Sequence, residues 1–88
     1  MCRSIKTLYN VEPAASEVEV REAALQFVRK ISGFTKPSRA NQEAFDHAVA
    51  AVSEVSLDLL ASLSTTAPPK DREAEAAKAR ARGAARFA

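Results

Sequence analysis

Cysteine, glycine and large aromatic side chains are scarce in this 88-residue chain. Cys2 is its one cysteine, which excludes an internal disulfide and any zinc site built from several cysteines. The two glycines form neither a Gly-rich phosphate loop nor a nucleophile elbow, and no pair of carboxylates has a catalytic spacing. The sequence therefore contains no catalytic constellation and predicts no cofactor.

The hydrophobic residues are too small to build a large core. They make up 47% of the chain, but many of them are alanines, and aromatic residues account for only 6%. Once conformational entropy is subtracted, a core of this kind contributes only a few kcal/mol to folding. We therefore expect one small domain whose structure a partner completes, and a second copy is the first candidate.

Long apolar runs are missing as well, and the first residues do not show the charged segment followed by an apolar segment that is typical of a signal peptide. A membrane-spanning helix needs about 20 apolar residues, so we expect no membrane partner and a cytoplasmic location. The net charge of +2 is unevenly divided. Residues 16–64 carry five Lys/Arg against seven Asp/Glu, whereas residues 65–88 carry six against three, which is the pattern of a weakly acidic body with a basic tail.

A first helix is predicted from Ser16 to about residue 31. Ser16 and Glu19 have the spacing of a capping box, and Gly33 supplies a left-handed residue that ends the helix. Between these signals the apolar residues recur at helical spacing and form one face, consisting of Val20, Ala24, Phe27, Val28 and Ile31.

A longer helix, from about Arg39 to about Leu63, follows a hinge at residues 34–38, where Pro37 disfavours helix at the preceding residue. At 1.5 Å per residue it spans about 37 Å, against about 24 Å for the first helix. In an antiparallel hairpin the first helix therefore cannot cover the far end of the second. The apolar stripe of the second helix consists of Phe45, Ala48, Val49, Val52, Val55, Leu59, Leu60 and Leu63.

The uncovered part of this stripe is the candidate interface of a homodimer or small homo-oligomer, because exposed apolar side chains of this size are a liability. The interface candidates are Val52, Val55, Leu59, Leu60 and Leu63. The alternative is a monomer in which an N-terminal arm, containing Ile5, Leu8 and Tyr9, or a third helix folds over the leucines.

The predicted fold is all-α, with a helical hairpin and its packed N-terminal arm at residues 1–64. Residues 65–70, which include Pro68 and Pro69, form a linker. Asp71 then caps a third, Ala/Arg-rich helix, so that residues 71–88 form a basic C-terminal helix within the same domain. This helix has high intrinsic propensity but no apolar stripe larger than alanine.

Two groups of cations are candidates for anion or phosphate binding. The hinge group brackets the start of the second helix, where backbone N–H groups and the helix dipole favour an anion, and consists of Arg29, Lys30, Lys36, Ser38 and Arg39. The tail group consists of Arg80, Arg82 and Arg86. Binding to a nucleic-acid backbone is one interpretation. The other is that the hinge is a solvated turn, with Phe34 sealing the hairpin, and that the tail is a solubilising helix with pairs such as Glu75 and Lys78.

Two weaker chemical features remain. Removal of Met1 would leave Cys2 with a free amine and a thiol, which together are a candidate metal chelate or nucleophile. An idle thiol is the alternative interpretation. Glu43 and His47 lie one helical turn apart, but two ligands do not make a metal site, and a surface charge pair explains them equally well.

Three segments resemble a known family. They are the opening Met1-Cys2-Arg3, the block ALQFVRKISGFTKPSRANQEAF at residues 24–45 and the block TTAPPKDREAEAAKARAR at residues 65–82. Together they are similar to the short bacterial proteins grouped as domain of unknown function 2277. The resemblance implies a bacterial, cytoplasmic protein and carries no site residues to this chain. We therefore favour a non-enzymatic, self-associating helical module, with nucleic-acid or phosphate binding and Cys2 chemistry as alternatives.

Overall fold

The computed structural model describes the backbone of residues 5–87 and the side chains of residues 5–83. Within this part of the chain, three α-helices are joined by irregular segments and a two-residue strand pair. The helices are α1 (Glu17–Ser32), α2 (Gln42–Ser62) and α3 (Arg72–Phe87). The strands are β1 (Val11–Glu12) and β2 (Lys70–Asp71). The all-α prediction is therefore confirmed, apart from this small parallel sheet.

Both ends of α1 have the predicted caps. The Ser16 side chain accepts a hydrogen bond from the Glu19 backbone N–H at 3.2 Å, and the Glu19 carboxylate accepts one from the Ser16 backbone N–H at 3.0 Å. At the other end Gly33 is left-handed, with φ 78°, and its N–H donates to the carbonyl of Arg29. The capping box and the glycine stop are therefore confirmed, and they fix where α1 begins and ends.

The second helix begins later than the sequence predicts. Residues Arg39–Asn41 form a 3-10 turn, and α2 starts at Gln42. Ser38 stands at the cap position but makes no side-chain capping bond. Its hydroxyl instead accepts a hydrogen bond from the Asn41 side-chain amide at 2.9 Å. Ser38 therefore closes the hinge turn through a side-chain bridge.

The core lies between α1 and α2, which a short hinge places side by side as antiparallel neighbours. Its buried apolar residues are Val20, Ala24 and Val28 from α1 and Phe45 from α2. Ser53 is also buried, with only 4% of its surface exposed. Its hydroxyl donates to the carbonyl of Val49 at 2.7 Å, so the polar group is satisfied within its own helix.

The predicted face of α1 was partly wrong. Phe27 and Ile31 are 43% and 69% exposed, although the sequence grouped them with the buried residues. Phe27 lies about 100° round the helix from Val28 and so points along the flank of the hairpin. Ile31 stands in the last turn of α1, beyond the part of the helix that α2 covers.

The strand pair was missed by the sequence analysis. Val11 and Glu12 lie beside Lys70 and Asp71 in parallel register, and the Lys70 N–H donates to the carbonyl of Asn10 at 2.9 Å. A two-residue strand leaves no alternating pattern in the sequence, so periodicity cannot reveal it. The pairing fastens the N-terminal arm to the segment that precedes α3.

Asn10 strengthens this connection. Its backbone is left-handed, with φ 54°, a conformation that asparagine tolerates better than most residues. Its side-chain amide donates to the carbonyls of Ala67 and Pro68 at 3.3 Å and 3.2 Å. The arm therefore holds the Pro-containing linker in place before α3 begins, where the Asp71 carboxylate accepts the Ala74 N–H at 3.0 Å as the predicted cap.

Candidate functional site

The outer face of α2 carries the largest exposed apolar side chains of that helix. Val55 is 69% exposed, Leu59 54% and Leu63 44%, whereas Val52 and Leu60 are half-buried. At about 100° per residue, Val55 and Leu59 lie roughly 160° and 120° round α2 from the buried Ser53. The interface candidates therefore separate into a half-buried pair and an exposed set along one flank of α2.

This separation corrects the predicted stripe. The sequence placed Val55 and Leu59 on one continuous stripe, in the part that the shorter α1 leaves uncovered. In the structure, the buried side of α2 combines Phe45 of the predicted stripe with Ser53 and the half-buried Ser56. The Ser56 hydroxyl donates to the carbonyl of Val52 at 2.6 Å. Because these serines are small and satisfied by their own helix, they allow α1 to approach, while Val55 and Leu59 at one edge of the apolar stripe stay exposed.

One residue of α1 extends the exposed apolar surface. Viewed along the helix axes, Phe27 of α1 and Val55 of α2 lie on the same side of the line that joins the two axes. In this antiparallel pair they therefore belong to the same flank of the hairpin. We call the surface formed by Phe27, Ala48, Val52, Val55 and Leu59 the outer seam. Ala48 and Val52 at its inner edge are half-buried.

Neither predicted lid covers the outer seam. The arm lies on α1, where Lys6 and Leu8 line a shallow depression together with Glu22 and Gln26. Helix α3 lies beside the arm, and in the described part of the chain its connection to α1 is the ion pair between Arg72 and Glu19. Within residues 5–83, Leu59 and Leu63 therefore stay 54% and 44% exposed, without a lid formed by the arm or α3.

The hinge cations lie on an exposed turn. Lys30, Lys36 and Arg39 are exposed, whereas Arg29 is half-buried. The Arg29 side chain donates from Nε to the carbonyl of Thr35 at 3.1 Å, which ties the end of α1 to the hinge. Arg29 therefore has a structural role in the turn. Phe34 is 41% exposed and seals the hinge only in part.

The tail cations lie elsewhere. Arg80 and Arg82 line an open cleft between the arm and α3, to which Lys6, Lys70 and Arg72 also contribute. The side chain of Arg86 lies outside the described residues. The predicted pair of Glu75 and Lys78 is confirmed, with Oε1 and Nζ 3.8 Å apart and both side chains at least half exposed. The sequence grouped cations by proximity along the chain and so missed Lys6 and Lys70, which the strand pair brings to the cleft.

Glu19 and Arg72 form the wall between the cleft and α1. Arg72 Nη1 donates to Glu19 Oε2 at 2.7 Å. This hydrogen bond, together with the one from the Ser16 backbone, lowers the pKa of the Glu19 carboxyl below its ordinary value of 4.5. Glu19 therefore stays ionised over the whole neutral range and serves two elements, with one oxygen capping α1 and the other holding α3.

The two weaker chemical features gain no further ligands. Cys2 lies outside the described residues. Glu43 and His47 are exposed on α2, and residues 5–83 contain no group of three His, Cys, Asp or Glu side chains that could hold a metal ion. A membrane-crossing helix is also not found among the described residues, because none of the helices is both long and apolar enough.

Comparison with known proteins assigns the family but no activity. Neither the curated proteins nor the solved structures include a match to this chain. The model of the family described as "Uncharacterized conserved protein (DUF2277)" matches residues 1–78, which is most of the chain. The protein therefore belongs to the DUF2277 family.

Proposed function

We propose that the protein is a helical interaction module that forms a homodimer, or a small homo-oligomer, through the outer seam. The observation that carries this proposal is the exposure of Val55 and Leu59, which are 69% and 54% exposed along one flank of α2. Fully burying one such side chain contributes about 1.5–3 kcal/mol. Association would therefore recover stability that the small core of the single chain lacks.

The spacing of the seam supports helix–helix pairing. Phe45 of the core and the seam residues of α2, which are Ala48, Val52, Val55 and Leu59, follow one another at alternating intervals of three and four residues, which is the spacing of the a and d positions in a coiled coil. Two hairpins that pair along this seam would form a four-helix bundle, in which each α2 packs against its own α1 and against its partner.

The absence of charged residues from the seam also favours pairing with a second copy of the chain. No Asp, Glu, Lys or Arg occupies a seam position, and the four charged residues of α2 lie exposed elsewhere on the helix: Glu43, Asp46, Glu54 and Asp58. A two-fold dimer brings the same surface of both chains together, so a charged patch would meet its own sign. An uncharged apolar strip meets no such repulsion.

The accessible surface of the single chain is large for its mass. It measures 7138 Å². A compact monomer of this mass, 9.4 kDa, has about 5,000 Å². The radius of gyration is 15.8 Å. A compact chain of this length has about 12 Å. A standard interface removes about 800 Å² from each partner, so a dimer of ordinary size fits within this excess of surface.

Sedimentation equilibrium with a matched pair of variants tests the proposal. We expect the native chain to sediment at twice its mass of 9.4 kDa at micromolar concentration. Val55→Lys places a charge in the seam and should shift the protein to monomer, weakening association at least about tenfold, because burying an unpaired charge is costly. Ala50→Lys adds the same charge about 140° round α2 and should leave the dimer intact. A native chain that stays monomeric, or an equal effect of the two variants, would refute the proposal.

A further inference from the structure

The cleft between the arm and α3 is a second site, separate from the outer seam. It has a volume of about 530 Å³ and is lined by residues from the arm, from the start of α1, from β2 and from α3. This volume lies within the range of small-molecule sites, about 300–1,000 Å³. The cleft exists only because the strand pair and Asn10 hold the arm beside the linker.

Positive charge dominates its walls. Five cations line the cleft, against two carboxylates, Glu19 and Glu75. Both carboxylates already have cationic partners, since Glu19 is paired with Arg72 and Glu75 with Lys78. The described residues provide no salt-bridge partner for the remaining four cations, which are Lys6, Lys70, Arg80 and Arg82. The cleft is therefore suited to a ligand with more than one negative charge.

Arg72 adds a donor that is not used within the chain. Its Nη1 is bonded to Glu19, but Nη2 is buried and has no hydrogen-bond partner among the described residues. A buried N–H without an acceptor costs free energy, which an anionic group close to the guanidinium would offset. The guanidinium stays charged while Nη1 holds Glu19, so Arg72 adds positive charge to the wall of the cleft.

The remaining lining of the cleft is apolar. Leu8 and Val11 come from the arm side, and Ala76 and Ala79 form one face of α3. Between Arg72 and Gly83, alanine is the only apolar residue type in α3. Small side chains there leave room for a flat or apolar group between α3 and the arm.

We propose that this cleft binds a small organic phosphate, that is, a phosphomonoester whose body is flat or apolar. The phosphate would lie among Lys70, Arg72 and Arg80, and the body would lie against the alanine face of α3. A nucleic-acid backbone fits less well, because it requires an extended basic surface. The hinge cations are too far away to extend the cleft, since Glu19 and Gly33 are fourteen positions apart, which corresponds to about 20 Å along α1.

Titration of the native protein at low salt with three probes, followed by backbone amide NMR shifts, tests this proposal. The probes are phenyl phosphate, inorganic phosphate and phenol. We expect phenyl phosphate to bind with a Kd of about 1 mM or tighter and to shift residues of the arm, β2 and α3. Inorganic phosphate should bind at least about tenfold more weakly, because it lacks the apolar body, and phenol should not bind measurably.

A pair of double variants provides the control. Lys70→Gln with Arg80→Gln should weaken phenyl phosphate at least about tenfold, because two charge-assisted contacts are lost. Lys36→Gln with Arg39→Gln removes the same charge from the hinge and should leave the Kd unchanged. All four side chains are exposed, so both variants retain the fold. No saturation by about 10 mM phenyl phosphate, an equal loss in both variants, or tighter binding of a short single-stranded RNA would overturn the proposal.

Discussion

Glu19 and Arg72 lie 53 residues apart in the sequence and meet at 2.7 Å, joining the first turn of α1 to the first residue of α3. The same carboxylate completes the capping box with Ser16. One side chain therefore determines both where α1 begins and where α3 is held. Because the arm passes between these elements, the cleft depends on this contact as well.

The Glu19–Arg72 contact predicts a specific pH dependence. The pKa of Glu19 is lower in the folded protein than its ordinary value of 4.5, so its contribution to stability is complete above that pH. It is lost as the pH falls below 4.5 towards the folded-state pKa. We expect Arg72 side-chain NMR signals to shift in this acidic window and to stay constant at higher pH.

Glu19→Gln separates the ion pair from the cap. Glutamine retains a carbonyl oxygen for the Ser16 N–H, so α1 should keep its start while the charged partner of Arg72 is lost. The acidic transition of the Arg72 signals should then disappear, and α3 amides should exchange faster at neutral pH. Ser16→Ala is the control, since it removes a cap bond at a cost of about 1 kcal/mol but leaves the charge of Glu19. The same acidic transition in Glu19→Gln as in the native chain would contradict this account.

Alanine substitutions at the two glycines should change stability in opposite directions. Gly33 has φ 78°, which side chains rarely adopt, so Gly33→Ala should lower the free energy of unfolding by about 1 kcal/mol or more. Gly83 lies inside α3, where an added methyl group meets no atom within 4 Å, so Gly83→Ala should raise helix stability by about 0.5–1 kcal/mol. Urea unfolding measures the first effect and helicity by circular dichroism the second. Two changes of the same sign would contradict these assignments.

Substitutions at Ser53 test how closely α1 and α2 pack. Ser53→Leu should destabilise the hairpin by about 1–3 kcal/mol, because a larger side chain must be forced between the two helices. Ser53→Ala should cost less than about 1 kcal/mol, since the hydroxyl bonds only to the Val49 carbonyl of its own helix. Urea unfolding of both variants provides the comparison. If Ser53→Leu were neutral, Ser53 would not lie at the contact between α1 and α2.

Substitutions at Asn10 measure how strongly this residue connects the arm to the linker. Asn10→Gly keeps the left-handed backbone but removes the two amide contacts to Ala67 and Pro68, whereas Asn10→Ala also strains the backbone. Hydrogen exchange of the Lys70 amide, which donates to the Asn10 carbonyl, measures the result. We expect exchange to accelerate about fivefold in Asn10→Gly, from the loss of about 1 kcal/mol, and further in Asn10→Ala. Unchanged exchange in both variants would show that Asn10 does not hold the linker.

The local signals in the sequence were sufficient to predict the helices. Ser16, Glu19, Gly33 and Asp71 act through groups at most four residues away, so their caps are visible in the sequence. The rotation of α2 was not predictable in this way. The apolar residues of that helix form one broad face, and the packing of α1, which buries Ser53, decides which part of the face is buried.

The cleft was beyond sequence reasoning for a related physical reason. Lys6 and Lys70 are separated by 64 positions and are brought to one cleft by a strand pair two residues long. Such a pairing depends on tertiary contacts, including the Asn10 side chain, and leaves no periodic pattern. The sequence did identify Arg80 and Arg82 as binding candidates, but it could not supply the residues opposite them.

The most direct test of the proposed self-association is the reactivity of a thiol placed in the outer seam. In a Cys2→Ser background, Val55→Cys and Ala50→Cys each carry one thiol on an exposed position of α2. We predict that the thiol at position 55 reacts with a water-soluble thiol reagent more and more slowly as the protein concentration rises, while the thiol at position 50 reacts at one constant rate. Equal rates at both positions, independent of concentration, would contradict the account.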